Sequence, residues 1–178
     1  MTAHTPAAPA DLGTARLGQT ETRFRIETRE DTRRAVVALI SDVQRTVDIL
    51  TPDLEPHIYD QADFLDTLTR PALGQCRAKL RVLVRDPQRA IKDGHRLIAL
   101  TRRLSSYMQI RKVHSDYADF TQAFLLADRY GVMHRTLAER FEGTVCFKDP
   151  LEVRRLRKLF DEIWDRSEPD PELHRLHL

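Results

Sequence analysis

The stretch ADFTQAFLLADRYGV, residues 118–132, decides the fold of this chain. It contains an apolar run, Ala123–Ala127, that ends in Asp128, and a second apolar segment begins at Tyr130. Short apolar runs bounded by turn residues are typical of buried strands, and Asp stabilises tight turns by accepting backbone hydrogen bonds. The stretch therefore predicts two buried strands joined by a tight turn.

Strands and helices alternate before this stretch. Strands are predicted at residues 23–28, 46–51, 79–86 and 108–113. Apolar stripes with helical spacing predict helices around 36–43, 64–73 and 94–105. Thr28, with Asp31 three residues on, predicts a capping box at the start of the first of these helices. Residues 53–59 are predicted to form a loop because two prolines, Pro52 and Pro56, punctuate them. Alternation of this kind implies a largely parallel sheet that helices cover.

Strands follow one another directly in the second half, at residues 124–127, 131–134 and 143–148. Consecutive strands imply hairpins, so the predicted sheet is mixed and the fold class is α/β. A last helix is predicted after Asp149, which suits an N-cap, with Pro150 at the first helical position and Glu152 completing a capping box.

The order of elements, together with residues 118–132, resembles a single domain of the phospholipase D superfamily, whose signature is HxKxxxxD. The His position falls on Thr121 and the Lys position on Ala123, and only Asp128 matches. Residues 140–150 resemble the Glu–strand–DP segment of that family. The resemblance covers residues 22–167 and implies a phospholipase D-like fold, with a mixed sheet flanked by helices.

The broken signature implies a domain without this family's catalysis. In the family the His attacks phosphorus and the Lys holds the phosphate, whereas Thr is a poor nucleophile without a base and Ala carries no charge. The chain also resembles an uncharacterised bacterial family of degenerate domains, some of which accompany acetyltransferase domains. That likeness implies a protein partner, and the pairing of single-motif members implies a homodimer.

Polar residues near strand ends are the candidates for a binding site, because ligands of α/β sheets sit at the strand ends. They predict a pocket for a small anionic ligand formed by Arg85, His114, Thr121, Asp128, His134 and Arg135. The alternative is that these are solvated charges at loop starts, with Asp128 serving only its turn. No metal site and no cofactor are expected.

The charge balance argues against a nucleic-acid partner, since 29 basic residues face 27 acidic ones. A basic cluster, residues 154–158, lies in the last helix, but Asp161 and Glu162 follow Arg157 and Lys158 at the i,i+4 spacing typical of a solvated face. A nucleic-acid-associated protein remains one alternative function. A hydrolase that uses His114 or His134 as base with Asp128 is the other.

Composition predicts three segments: a disordered leader at residues 1–20, one domain at 21–167 and a C-terminal tail at 168–178 that leaves the fold. The two cysteines, Cys76 and Cys146, lack CxxC spacing and a neighbouring His, which disfavours zinc and favours a reducing, cytoplasmic setting. No segment approaches the ~18 apolar residues that span a membrane, so no membrane partner is expected.

Overall fold

The computed structural model describes residues 12–73 and 78–174. Within them, seven strands form one sheet in the order β1-β7-β6-β5-β2-β3-β4. The strands are β1 (Arg23–Ile26), β2 (Thr46–Thr51), β3 (Lys79–Val84), β4 (Met108–Lys112), β5 (Ala123–Ala127), β6 (Gly131–Arg135) and β7 (Gly143–Cys146). The helices are α1 (Arg29–Ser41), α2 (Pro56–Tyr59), α3 (Ala62–Leu73), α4 (Gln88–Lys92), α5 (Arg96–Arg103), α6 (Pro150–Arg166) and α7 (Pro171–His174).

The sheet is mixed, as predicted, and its two halves meet at β2. Strands β2, β3 and β4 are parallel, whereas β2 pairs antiparallel with β5. Leu50 of β2 lies beside Leu83 on one side and Phe124 on the other. The carboxyl ends of β2, β3 and β4 therefore share one edge of the sheet with the start of β5 and the end of β6.

Helices cover both faces of the sheet and bury two apolar layers. Helix α6 covers one face, where its Phe160 packs against Phe124 of β5. Helices α1, α3 and α5 cover the other face, where Leu39 and Ile49 are fully buried. This arrangement confirms the predicted α/β class.

The helix starts that the sequence predicts are largely confirmed. Thr28 and Asp31 form a reciprocal capping box at the start of α1. Asp149 accepts a hydrogen bond from the backbone N–H of Glu152, and Pro150 begins α6. The Glu152 carboxylate does not complete a box there, because it accepts hydrogen bonds from Arg155 instead.

Two predicted boundaries differ from the structure. The predicted loop at 53–59 contains the short helix α2, because Ile58 and Tyr59 are buried in the core. The helix predicted at 94–105 is observed as α5, from Arg96 to Arg103, and α4, which was not predicted, ends before Gly94, whose positive φ of 70° breaks the helical path between the two.

The prediction of a disordered leader at 1–20 is wrong for the residues that the structure describes. Leu12 and Ala15 are buried in the core, and the backbone N–H of Gly18 donates to the carbonyl of Phe147. A β-carbon at residue 131, a glycine, would lie 2.5 Å from Leu17 Cδ1, so this segment packs closely on the sheet. Residues 1–11 lie outside the described part of the chain.

The prediction that residues after Ser167 leave the fold is also wrong over 168–174. Ser167 and Leu173 are both only 2% exposed. The Arg102 side chain donates hydrogen bonds to the carbonyls of Glu172 and Leu173, which fasten the segment to α5. Burial of Leu173 and the hydrogen bonds from Arg102 therefore hold this segment in place.

Asp48 is buried in the interior strand β2, an unusual place for a carboxylate. Its two oxygens accept hydrogen bonds from Arg81 of β3 at 2.8 Å and Arg157 of α6 at 3.0 Å. Arg81 also stacks over the Phe160 ring, with 4.8 Å to the centroid. The buried carboxylate thus ties the sheet to α6.

Candidate functional site

A cleft of about 660 Å³ opens at the carboxyl ends of β2, β3 and β4. Residues from four segments line it: Pro52, Asp53, Glu55, His57, Arg85, Asp86, Lys112, Val113, Ser115, Ala118, Ala138, Glu139 and Phe141. Binding crevices of open α/β sheets lie at this edge. Of the residues predicted from the sequence, Arg85 lies directly in the cleft.

Arg85 has the most distinctive environment of the cleft residues. Its backbone N–H donates to the carbonyl of Thr51, which holds it at the end of β3. Its Nε is buried and has no hydrogen-bond partner among the described residues. A buried guanidinium nitrogen without a partner is costly, and the side chain that carries it lines the cleft.

Two further nitrogen-bearing side chains of the cleft were not predicted. His57 presents a buried Nε2 that has no partner in the described part of the chain, and burial and the nearby Arg29 lower its pKa. Lys112 is exposed at the end of β4. The strand-end rule that selects Arg85 also selects Lys112, whereas His57 lies in a segment predicted to be a structureless loop.

Carboxylates line the same cleft. The Asp53 carboxylate accepts a hydrogen bond from the backbone N–H of Glu55, and the Asp86 carboxylate accepts one from the backbone N–H of Gln88. Glu139 is exposed and also lines the cleft. The cleft therefore offers one buried cationic donor beside several acceptors, which suits a ligand that carries an anionic group and hydrogen-bond donors.

Arg135 lies behind the cleft and not in it, which corrects its predicted role as a ligand contact. Its guanidinium is fully buried and pairs with the Glu55 carboxylate at 2.5 Å. It also donates to the carbonyls of Ala138 and Arg140. Burial raises the pKa of Glu55, while Arg135 and Thr51 act against that shift. One side chain thus connects the two loops that wall the cleft.

The loop after β2 has a strained backbone. Leu54 and Glu55 have φ values of 66° and 26°, in a region that residues other than glycine rarely adopt. The Arg135 ion pair and the hydrogen bond from Thr51 Oγ1 to Glu55 Oε2 hold this conformation. Such strain persists only where the surroundings enforce it, and it concentrates at functional sites.

Thr121 lies next to the cleft. It lines an adjoining cavity of about 210 Å³ together with Arg85, Ala138 and Glu139. Its hydroxyl is 3.4 Å from the Thr136 carbonyl, and Ala123 is fully buried. The structure therefore brings Thr121 and Arg85 together, as predicted.

His114 lies at the rim, one residue before the cleft-lining Ser115. Its ring is 42% exposed, and its Nδ1 accepts a hydrogen bond from the backbone N–H of Asp116. It caps a 3-10 turn at residues 115–117. The ring is thus placed by a local capping interaction outside the cleft lining.

His134 does not share the cleft, contrary to the prediction. Its Nε2 is 2.8 Å from Gln122 Oε1, and its Nδ1 is 3.5 Å from Glu152 at the start of α6. Burial lowers its pKa, and Glu152 partly opposes this shift. Successive residues of a strand face opposite sides of the sheet, so His134 faces α6 while Arg135 faces the Glu55 loop.

Asp128 lies at the opposite edge of the sheet, so its predicted place in the pocket is wrong. Its Oδ1 accepts from the backbone N–H groups of Arg45 and Thr46, and its Oδ2 accepts from that of Gln44. Its φ of 50° is the left-handed turn conformation that Asp tolerates. The alternative prediction, that Asp128 serves only its turn, fits its backbone conformation, but its carboxylate holds the segment before β2 and does not bond to the turn residues.

The described residues show no group of three or more His, Cys, Asp or Glu side chains placed to hold a metal ion. Cys146 is buried, and burial raises the pKa of its thiol. Cys76 lies outside the described residues. In residues 12–73 and 78–174, no helix is both long and apolar enough to cross a membrane.

Comparison with protein families places the chain. A family model described as a domain of unknown function, DUF7931, matches residues 28–176. The chain belongs to this family. The match includes every residue that lines the cleft of this DUF7931 domain and extends past the tail boundary predicted at residue 168. No curated protein sequence is significantly similar to it.

Solved structures with the same fold are more informative. Nuc from Salmonella typhimurium, a phospholipase D family member, has a TM-score of 0.58 at 10% identity, covering 84% of this chain and 97% of that chain. NucT from Helicobacter pylori has a TM-score of 0.59 at 9% identity, covering 84% and 99%. The DUF7931 domain therefore has a phospholipase D-like fold.

A third similar structure is TrmBL2, an archaeal chromatin protein with a novel mode of DNA binding. Its TM-score is 0.59 at 13% identity, covering 83% of this chain and 54% of that chain. The chain thus spans about half the length of TrmBL2. Identities this low show a shared fold, and function has to be argued from the site itself.

Proposed function

We propose that this domain is a non-catalytic ligand-binding module. Its cleft at the carboxyl ends of β2, β3 and β4 binds a small polar molecule, and an anionic group of that molecule pairs with the Arg85 guanidinium. The observation that carries this proposal is that Arg85, whose buried Nε has no hydrogen-bond partner among the described residues, lines a cleft of about 660 Å³. Arginine binds carboxylate and phosphate groups through paired hydrogen bonds.

The remaining cleft residues narrow the class of ligand. Asp53, Asp86 and Glu139 would repel a ligand that is anionic throughout, and they accept hydrogen bonds from hydroxyl or amino groups. The pKa of His57 is lowered by burial, so its neutral ring adds a hydrogen bond and no charge at neutral pH. A phosphorylated or carboxylated molecule that also carries hydroxyl or amino groups fits this lining.

The absence of catalysis in this proposal rests on the residues at the signature positions. Thr121 and Ala123 stand where the related enzymes have a nucleophile and a phosphate-binding cation. Thr121 Oγ1 contacts a backbone carbonyl, and no described His or carboxylate is bonded to it as a base. We expect a generic phosphodiester to remain uncleaved. Hydrolysis lost in His114→Ala or His134→Ala would instead support relocated catalysis.

Ligand binding is tested by thermal unfolding with inorganic phosphate, phosphoserine, a nucleoside monophosphate and short single-stranded DNA. A ligand at about 100 times its Kd should raise Tm by about 5–10 °C, because it binds only the folded state. Arg85→Ala should abolish this rise. Arg85→Lys should retain only part of it, because lysine lacks the paired donor geometry.

The matched control is Arg103→Ala. Arg103 is exposed on α5, away from the cleft lining, so this variant removes the same charge and should retain the full rise in Tm. Equal loss in both variants would show a non-specific charge effect and contradict the proposal. A salt-sensitive shift with DNA alone would support the nucleic-acid alternative.

A further inference from the structure

The basic cluster of α6 lacks the internal ion pairs that its spacing predicts. Asp161 accepts from Arg81 at 2.9 Å, and Glu162 accepts from the Tyr117 hydroxyl at 2.9 Å. Arg157 turns inward, where it bonds to Asp48. Asp161 and Glu162, which lie four residues after Arg157 and Lys158, therefore bond to side chains outside α6 instead of to these two cations.

This redistribution leaves uncompensated positive charge on the surface. Arg154 and Lys158 are exposed and form no ion pair with any described residue. Arg129, in the turn between β5 and β6, is also exposed and has no such pair in the described part of the chain. These three side chains, here called the basic face, come from two elements in a chain whose net charge is only +2.

The basic face surrounds a depression of about 470 Å³. Pro150 and Val153 contribute apolar atoms to it, and Arg157 and Asp161 complete the lining. It lies beside the turn after β5, at the opposite edge of the sheet from the Arg85 cleft. A partner bound here would therefore leave that cleft open.

An exposed leucine adjoins the basic face. Leu151 is 73% exposed, the most exposed of the large hydrophobic residues in the described part of the chain. Residues spaced i, i+3 and i+7 lie on one face of a helix, so Leu151, Arg154 and Lys158 form a single stripe along α6. Cations beside an exposed apolar side chain complement a protein segment more closely than the evenly charged backbone of a nucleic acid.

We propose that the basic face is a docking surface for an acidic protein segment. Carboxylates of the partner pair with Arg129, Arg154 and Lys158, and an apolar side chain of the partner covers Leu151. Rim charges of this kind govern the association rate and its salt dependence. The proposal is independent of ligand binding at Arg85.

The test is fluorescence anisotropy with a fluorescein-labelled peptide that alternates glutamate pairs with leucine. The double variant Arg154→Glu/Lys158→Glu should weaken binding on the order of tenfold or more, because each reversal replaces attraction by repulsion. Leu151→Ser should weaken the leucine-containing peptide and leave a glutamate–glycine peptide of equal charge unaffected. Binding should also weaken as salt rises.

The control is Arg34→Glu/Arg103→Glu, which changes the net charge equally at two exposed sites on α1 and α5. It should retain affinity within about twofold. Equal weakening by both double variants, or no measurable peptide binding at low salt, would overturn the proposal. It would also be overturned if a single-stranded oligonucleotide of equal charge bound through Arg154 and Lys158 in preference to the peptide.

Discussion

At the scale of single residues, a buried ion pair between Arg135 and Glu55 holds the loops of the cleft in place. Arg135 is the largest fully buried side chain in the described residues, and its guanidinium joins the Glu55 loop to the carbonyls of Ala138 and Arg140. The sequence predicts Arg135 as a ligand contact because it follows a predicted strand. Only the Glu55 carboxylate, 80 residues away in sequence, turns it into a structural support for the cleft.

Breaking this pair should destabilise the domain. We expect Arg135→Met to lower the free energy of unfolding by about 3–5 kcal/mol, because it leaves the buried Glu55 charge without its partner. Urea denaturation followed by circular dichroism measures this loss. Arg140→Met, at an exposed position, should change stability by less than about 0.5 kcal/mol. The combined Glu55→Gln/Arg135→Met variant should lose less than the sum of the single changes.

Asp128 provides a second prediction at this scale. Asp128→Ala should cost at least about 2 kcal/mol of stability, because three backbone N–H groups lose a charged acceptor. Asp128→Asn should cost less, since Asn still accepts a hydrogen bond and tolerates the left-handed backbone. Any ligand affinity of the Arg85 cleft should be unchanged in Asp128→Asn, because the two sites lie at opposite sheet edges. If Asp128→Asn abolished the ligand-induced rise in Tm, the placement of Asp128 outside the Arg85 cleft would be contradicted.

At the scale of elements, local signals were reliable where they depended on neighbours in sequence. The strand Thr46–Thr51 was predicted at its observed bounds, and the capping box of α1 was predicted by Thr28 and Asp31. Of the missed helices, α2 and α4 span four and five residues. Elements this short have almost no helical periodicity to detect, and they form because Ile58, Tyr59 and Ala90 are buried.

Helix α5 carries a pH dependence through its N-cap, His95. His95 Nδ1 accepts from the Leu97 N–H, and its Nε2 lies 3.0 Å from the Leu54 carbonyl, an arrangement that needs a neutral ring. Burial lowers the pKa of His95 from 6.5. The unfolded chain then takes up a proton first as pH falls. Stability due to His95 is complete above about pH 6.5 and declines below it.

The measurement is the free energy of unfolding between pH 7.5 and 5.5. The free energy of unfolding of the wild type should decrease as the pH is lowered from 7.5 to 5.5. His95→Gln should make this decrease per pH unit smaller. His57 and His134 contribute with the same sign, because burial lowers both pKa values. Glu55 has the opposite sign, since a raised carboxyl pKa costs stability as pH rises. Parallel profiles for the wild type and His95→Gln would exclude His95 as a source of the slope.

At the scale of the whole molecule, segments at both ends of the described chain complete the core. Leu12 and Ala15 pack on one face, and Leu173 joins the same apolar layer. Their surroundings in sequence are rich in proline and polar residues, a composition that predicts disorder. Burial of an apolar side chain in the core orders such a segment although its composition predicts disorder.

Removal of residues 168–178 tests this arrangement. We expect the truncated chain to lose about 2–4 kcal/mol of stability, because it exposes the surface that Leu173 covers. Leu173→Ala should reproduce most of this loss, whereas Glu168→Ala, at an exposed position, should change stability by less than about 0.5 kcal/mol. Unchanged denaturant midpoints for the truncation would show that the tail does not contribute to the core.

The sequence by itself determined the order of the strands and the longer helices, the N-caps Thr28 and Asp149, the mixed sheet and the replacement of the signature residues by Thr121 and Ala123. It also placed Arg85 where the cleft opens, because a residue that ends a parallel strand reaches that edge of the sheet whatever its neighbours are; ligand binding by Arg85 stays a prediction. Only the tertiary structure decided which charges are free. Asp48 meets Arg157 across 109 residues, and Asp161 turns to Arg81 instead of its helical neighbour. Partner choice among charged side chains depends on three-dimensional distance and on the cost of burying a charge, and neither is encoded in local spacing.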